Sequence, residues 1–206
     1  MMSTVEEKLR ELAEGRAPGP PASFTKLHVL KAIWLLAEQG TIGRASLAQK
    51  LGLGEGVTRT LLKRLLRAGL VRTSRSGCEI TEEGRALWEE LRRKLARIAS
   101  VRWTGELGQY GVAVLVKGGA SKVRLGVEQR DEAIRAGAKG ALVLVLEGGR
   151  LRMPGVSEDI RVDYPELFEE ITTSLEPEEG DAVVVAYADD AVSAEYGALA
   201  AALDLL

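Results

Sequence analysis

The sequence predicts an α+β protein in two parts, a helical N-terminal part closed by a β-hairpin and a C-terminal part built on a sheet. Three observations lead there. In the first half apolar residues recur at helical spacing, as in Leu27, Leu30, Ile33, Trp34 and Ala37. In the second half they form strand-length runs bounded by turn residues, GVAVLV, ALVLVL and DAVVVAY. The charge also divides: Met1 to Trp103 hold 19 Lys and Arg against 11 Asp and Glu, or +8, whereas Thr104 to Leu206 hold 9 against 19, or −10. A basic part joined to an acidic one implies that only the first meets a polyanion.

Composition excludes several classes. No apolar run approaches the roughly 18 to 20 residues of a membrane span, and MMSTVEEKLRELAEG is too charged for a signal peptide, so the expected compartment is the cytoplasm. Cys78 is the single cysteine, which rules out an internal disulfide and a zinc site built on cysteines. The chain has no Asn and four Gln, a depletion of thermolabile amides expected of a thermophilic source, and its 19 Arg against 9 Lys fit either that source or GC-rich coding.

Ser3 and Glu6 form a capping-box pattern for a first helix with Val5, Leu9 and Leu12 on one face. Arg16 to Pro21, RAPGPP, is a stiff connector, so residues 1–21 are set apart as helix and linker. Phe24 to Glu38 is a second helix, with Ser23 or Thr25 as its cap and Gly40 as its stop. Ala45 to Leu51 is a short third helix. After the turn GLGEG comes Val57 to Ala68, with Val57, Leu61, Leu62, Leu65 and Leu66 inward. Its outer face, Thr58, Arg59, Thr60, Lys63, Arg64 and Arg67, is cationic and hydroxyl-bearing, suited to phosphates and base edges. Gly69 ends the helix, and Leu70 to Ser74 with Cys78 to Ile80 form a hairpin around Arg75-Ser76-Gly77. Thr81 then caps a helix expected to run to Ser100, about 30 Å at 1.5 Å per residue. Its stripe of Leu87, Trp88, Leu91, Leu95 and Ile98 is too long for one small domain to cover, so either the second domain or a twin subunit covers it, and these five residues are dimer-interface candidates. The first domain is thus 22–103 and the second 104–206.

In the second domain, strand, Gly-Gly, strand, Gly-Val and helix recur, with Gly118-Gly119 and Gly148-Gly149 thirty positions apart as hairpin turns. The expected unit is ββα, twice, followed by a strand at Asp181 to Tyr187 and a helix at Ala191 to Leu206. That makes a two-layer ββαββα sandwich with helices on one face. If Ala120 to Leu125 is loop instead, the order becomes βαββαβ, a ferredoxin-like sandwich resembling the effector domains of feast/famine regulators.

The segment LAQKLGLGEGVTRTLLKRLLRAGLVRTSRSGCEITEEGRAL resembles the winged helix-turn-helix of prokaryotic transcription regulators, within roughly Thr25 to Ser100. The matching pieces are A-x-x-L-G-L, T-x-x-x-x-L-x-x-G-L-V and I-T-x-x-G. In particular the chain resembles archaeal two-domain regulators with a winged helix before a poorly characterised α+β domain. The resemblance implies a recognition helix in the major groove, with Thr58, Arg59 and Thr60 near base edges and Lys63 and Arg64 on phosphate. Arg44 and Ser46 stand at the start of the preceding helix, where free N–H groups favour phosphate. Arg72, Arg75 and Ser76 put the wing on the DNA backbone or in the minor groove.

Other polar residues have structural readings. His28 has no second His or nearby Cys to complete a metal site and is read as packed or half-exposed. Cys78 is read as a small semi-buried strand residue. Lys117 to Lys122 lacks the spacing of a phosphate loop, and Asp189-Asp190 with Glu178-Glu179 are read as helix-start or loop carboxylates. No nucleophile with its base is present, and neither catalysis nor a cofactor is expected. The expectation is a homodimeric regulator of double-stranded DNA whose second domain dimerises or senses a small-molecule effector. The competing reading is a winged helix that docks protein or RNA.

Overall fold

The computed structural model describes residues 5–14, 23–102 and 107–206. Ser3 and the Arg16 to Pro21 connector lie outside them. The chain divides into two compact units, Met1–Leu91 and Arg92–Leu206.

The first unit contains α1 (Val5–Glu14), α2 (Lys26–Gln39), α3 (Arg44–Leu51), α4 (Glu55–Arg67), β1 (Val71–Thr73), β2 (Cys78–Ile80) and α5 (Glu82–Arg92, whose last residue crosses the boundary). α2 follows Thr25, whose N–H donates to Nδ1 of His28 at 3.1 Å. Accepting that bond requires a bare Nδ1, and burial followed by the charge of Lys31 lowers the His28 pKa. Leu30, Ile33, Leu36, Leu47, Leu51, Leu61, Leu65 and Leu91 are fully buried and form the heart of this unit. Trp34 and Trp88 stack at 6.2 Å.

Two expectations fail here. α4 turns in Thr58, Leu61, Leu62 and Leu65, while Leu66 is 38% exposed. The inner face is centred on i, i+3, i+4 and i+7 from Thr58, and a threonine fits it because its Oγ1 donates to the Gly54 carbonyl at 3.1 Å. The expected helix to Ser100 also ends at Arg92. Leu87 and Trp88 are 7% exposed and Leu91 is fully buried within the first unit, so they leave no stripe for a partner.

The second unit begins with what that helix would have been. β3 (Leu95–Val101) pairs antiparallel with β4 (Tyr110–Val116). Nothing in RKLARIASV imposes one period, and the ladder offered by β4 decides its state. A 3₁₀ turn at Ala120–Lys122 follows, then α6 (Val127–Arg135), β5 (Gly140–Glu147), β6 (Arg150–Arg152), α7 (Ile160–Asp163), α8 (Pro165–Leu175), β7 (Ala182–Ala188) and α9 (Ala191–Leu203). The sheet order is β3-β4-β7-β5-β6, every neighbour antiparallel.

The Gly148-Gly149 turn is a two-residue hairpin, φ 61° and 72°, both positive as the turn joining Glu147 to Arg150 requires. Gly118-Gly119 is not. The chain there enters the 3₁₀ turn, so the repeat of ββα is overturned and β4 to β7 read βαββαβ.

The single helical layer is also overturned. β4, β5 and β7 are apolar on both faces, which requires two covers. Ala113, Leu115, Leu144, Val183 and Val185 pack with Ile160, Leu167, Ile171 and Leu175 of α7 and α8. The opposite face meets α6 and α9: a methyl placed on Gly197 of α9 would lie 3.3 Å from Ala186, and one on Gly126 at the head of α6 would lie 3.0 Å from Val143. The helices therefore sandwich the sheet.

The boundary also changes the charge count. Arg92, Arg93, Lys94, Arg97 and Arg102 pass to the second unit, leaving 14 cations against 11 carboxylates, or +3, in the first and 14 against 19, or −5, in the second. The basic character of the first unit lies in where its cations stand.

Candidate nucleic-acid interface

α3 and α4 are joined by Gly52, in the left-handed region at φ 67°, followed by Leu53-Gly54. The hairpin is tied to the loop ahead of α3, because Ile42 and Cys78 exchange backbone bonds of 2.9 and 2.8 Å. Ser74 N–H donates to the Gly77 carbonyl at 2.8 Å and closes the tip, holding Arg75 and Ser76 out in solvent. The wing and the helix-turn-helix are thereby one rigid piece.

On this frame Arg44, Ser46, Arg59, Thr60, Lys63, Arg75 and Ser76 are exposed. Arg44, Arg59, Lys63 and Arg75 have no carboxylate partner among the described residues. A cluster of uncompensated cations on one rigid element is the electrostatic requirement for holding phosphate.

Three of the sequence candidates have other duties. Thr58 is buried and faces the core. Arg64 is half-buried; its Nη1 donates to the carbonyls of Ala13 and of Leu12, the latter at 3.3 Å, and its guanidinium lies 4.9 Å from the centre of the Phe24 ring. It fastens α1 to α4 and is unavailable to a phosphate. Arg72 bonds Glu79 at 2.9 Å through both Nε and Nη2. Glu79 also accepts from Thr41 at 2.9 Å, and the bonds from Thr41 and Arg72 hold its carboxyl below the usual range. Cys78 is buried, and burial raises its thiol pKa against the opposing charge of Arg44, which keeps it a thiol.

One residue was missed. α4 starts at Glu55, two positions ahead of the expected start, so an exposed carboxylate precedes Arg59 by one turn. The signal was Gly54, an acceptable N-cap, with an acidic residue in the first turn that favours the helix dipole. Thr60 and Lys63 also line an open groove of about 1070 Å³ between α1, α4 and α5, opposite Glu11, Glu83 and Glu90.

The carboxylate pairs of the second unit are occupied by its fold. Glu178 meets Lys117 at 2.8 Å, Glu179 accepts from Gly148 N at 2.6 Å and Gly149 N at 3.1 Å, Asp189 meets Lys139 at 3.0 Å, and Asp190 caps α9 through Ser193 N at 2.8 Å.

A helix-turn-helix with a tethered wing and cations on its second helix gives the first unit the winged-helix fold. Residues 25–95 match the family model of the CggR N-terminal DNA binding domain, and residues 107–205 match a domain of unknown function, DUF4443. Among solved structures the chain is similar to the hypothetical protein PH0730 from Pyrococcus horikoshii OT3, 31% identical over 89% of this chain and 93% of that one, with a TM-score of 0.74. The chain belongs to the family of that Pyrococcus protein. No curated protein matches it. Among the described residues no helix is long and apolar enough to cross a membrane.

Proposed function

We propose that the protein is a sequence-specific DNA-binding transcription regulator, acting as a homodimer, whose second unit dimerises or senses a small-molecule effector. The observation that carries this reading is the exposed set Arg44, Arg59, Lys63 and Arg75, without a carboxylate partner among the described residues, on a winged helix whose sequence matches a DNA-binding domain model. The first turns of α4 enter the major groove, where Arg59 donates to a guanine edge and Glu55 accepts from a cytosine amine. Lys63, Arg44 and Ser46 hold phosphate, and Arg75 and Ser76 carry the wing onto the backbone. A dimer reads two half-sites about 34 Å apart, and an effector acts by changing the separation of the two α4 helices. The reading includes no catalytic step and no cofactor, and it sets the protein in the cytoplasm of a thermophilic archaeon, in keeping with its Pyrococcus relative.

A mobility-shift titration against genomic fragments tests it. Binding is expected at low salt, steeply salt-dependent, and weakened about a hundredfold when Arg59→Ala and Lys63→Ala are combined. No binding at low salt, indifference to the double substitution, or RNA competing better than duplex DNA would overturn the reading.

A further inference from the structure

The sheet of the second unit ends in two unlike edges: β6 offers three residues and β3 seven. An open strand edge is a row of N–H and C=O groups ready to pair, and proteins usually shorten, charge or cover it. β3 is long, and its one charged residue, Arg97, is already neutralised by Glu176 at 2.6 Å.

Two hydrogen bonds define which β3 groups point away from β4. Lys94 faces β4, since its carbonyl accepts from Lys117 N at 2.8 Å. The register is irregular between Leu95 and Arg97 and regular from there to Val101. Past that end Arg102 N–H turns to Glu170 Oε1 at 2.7 Å instead of to β4. Alternate residues of an antiparallel strand bond to the same side, so Ile98 and Ser100 point outward with Arg102. Among the described residues nothing else engages their backbone groups.

We propose that β3 is the dimerisation strand, and that the second copy's β3 adds antiparallel along this edge about a two-fold axis through Ala99. This rests on the dimeric reading above. The register sets Ile98 opposite the second copy's Ser100, and Ser100 opposite its Ile98, so every outward N–H and C=O of these residues is used. It stops at Arg102, whose N–H Glu170 already holds, and it avoids the irregular start of the strand. Ala99 faces Ala99 as a non-hydrogen-bonded pair, where Cα atoms approach to about 4.5 Å and a small side chain fits.

The same register meets no charge conflict. Arg97 pairs with Leu115 and so lies on the sheet face covered by α8. The register carries the second copy's Arg97 opposite Val101, beside an open groove of about 450 Å³ lined by Arg102, Glu166, Glu169, Glu170, Thr173 and Ser174. That Arg97 stays bonded to Glu176 of its own chain, so the register sets no unpaired cation against the strand.

Sedimentation of the full chain tests the assignment. Ser100→Pro removes an outward N–H with no partner among the described residues, and an edge strand accepts proline there. It is expected to keep the tryptophan fluorescence of the wild type while the dimer dissociation constant rises about a hundredfold, with Ser100→Ala unchanged. Ala99→Cys is expected to form a disulfide-linked dimer on mild oxidation, because about 4.5 Å lies within the Cα range of a disulfide. The wild type, with only its buried Cys78, is expected not to link. A wild type monomeric at all concentrations would overturn the dimeric reading itself. A wild-type dimer with an unlinked Ala99→Cys, or with Ser100→Pro still dimeric, would overturn only the β3 assignment; should Ser100→Pro fail to fold, the cysteine decides.

Discussion

The outer surface of α3, α4 and the wing holds its cations differently from six paired cations of the second unit. In the second, Arg97, Lys117, Arg130, Arg135, Lys139 and Arg152 each meet a carboxylate, and Arg161 lies 5.1 Å from the centre of the Phe168 ring. In the first, Arg59, Lys63, Arg44 and Arg75 meet none among the described residues. With net charges of only +3 and −5, what sets the α3, α4 and wing surface apart is that these four cations meet no carboxylate among the described residues. A polyanion competes for a free guanidinium, whereas one engaged by a neighbour must first be released.

The comparison can be tested by substitutions that touch one unit at a time. The largest effect is expected from Gly84→Ala. In an isolated helix it would help, yet a methyl there would lie 2.1 Å from the Leu70 carbonyl, so α5 must lift from the hairpin. We expect a loss of about 3 kcal/mol or more, seen as early melting in the fluorescence of the Trp34–Trp88 pair, with DNA binding lost alongside. Unchanged stability would mean that α5 does not seat on the hairpin as described.

Asp181→Asn strikes the second unit. Asp181 is 3% exposed and accepts from Lys117 Nζ, Gly118 N and Glu178 N at 2.9 to 3.0 Å. Burial raises its pKa, but the bonds from Glu178, Gly118 and Lys117 outweigh it and the net shift is downward. Lys117 is raised, by its bonds to Glu178 and Asp181. A depressed carboxyl stabilises the fold above its unfolded pKa of about 3.9 and loses that contribution as pH falls through the lower folded value; a raised ammonium contributes below about 10.4 and loses it as pH rises through the higher one. The pair is therefore at full effect between these limits. The substitution is expected to cost about 2–3 kcal/mol at pH 7 and less at strongly acid pH, with half-site DNA affinity unchanged. Equal costs at both pH values in chemical denaturation would remove the ionic account.

Within α4 the neighbours Lys63 and Arg64 make a finer test. Lys63→Ala should weaken DNA binding about tenfold and lower the salt slope by about one, leaving the melting temperature in place. Arg64→Ala should do the reverse, costing about 1–2 kcal/mol through lost contacts to α1 and Phe24 with little change in affinity. Equal effects of the two on DNA would return Arg64 to the interface. Smallest of all, Thr58→Val is expected to change stability by less than about 1 kcal/mol and DNA binding not at all. A tenfold loss of affinity would mean that Thr58 reaches a base.

Some of this was legible in the residues and some was not. The turn after α3, the Gly69 stop, the hairpin and the Thr81 cap were readable because capping and turn chemistry act within a few residues; Thr81 Oγ1 indeed accepts from Gly84 N at 3.1 Å. The exposure of Arg59 and Lys63 was readable because a long inward stripe leaves only one outer face. Thr58 and Arg64 were misread as interface because the stripe defines its centre only to within one position, and because a hydroxyl can be satisfied by the helix's own carbonyl. Glu55 was missed because a helix start depends on where the cap lies, and three glycines offered themselves.

By itself, then, the sequence determined the winged helix and the strands β4, β5 and β7, whose signals are local or strongly periodic. Only the tertiary structure decided where the units part, that helices cover both faces of the sheet, and that Leu95–Val101 is an edge strand. The physical reason is common to all three: a short apolar segment with no dominant period takes its conformation from the neighbour that satisfies its backbone. For Leu95–Val101 that neighbour is β4, which the chain supplies nine residues further on.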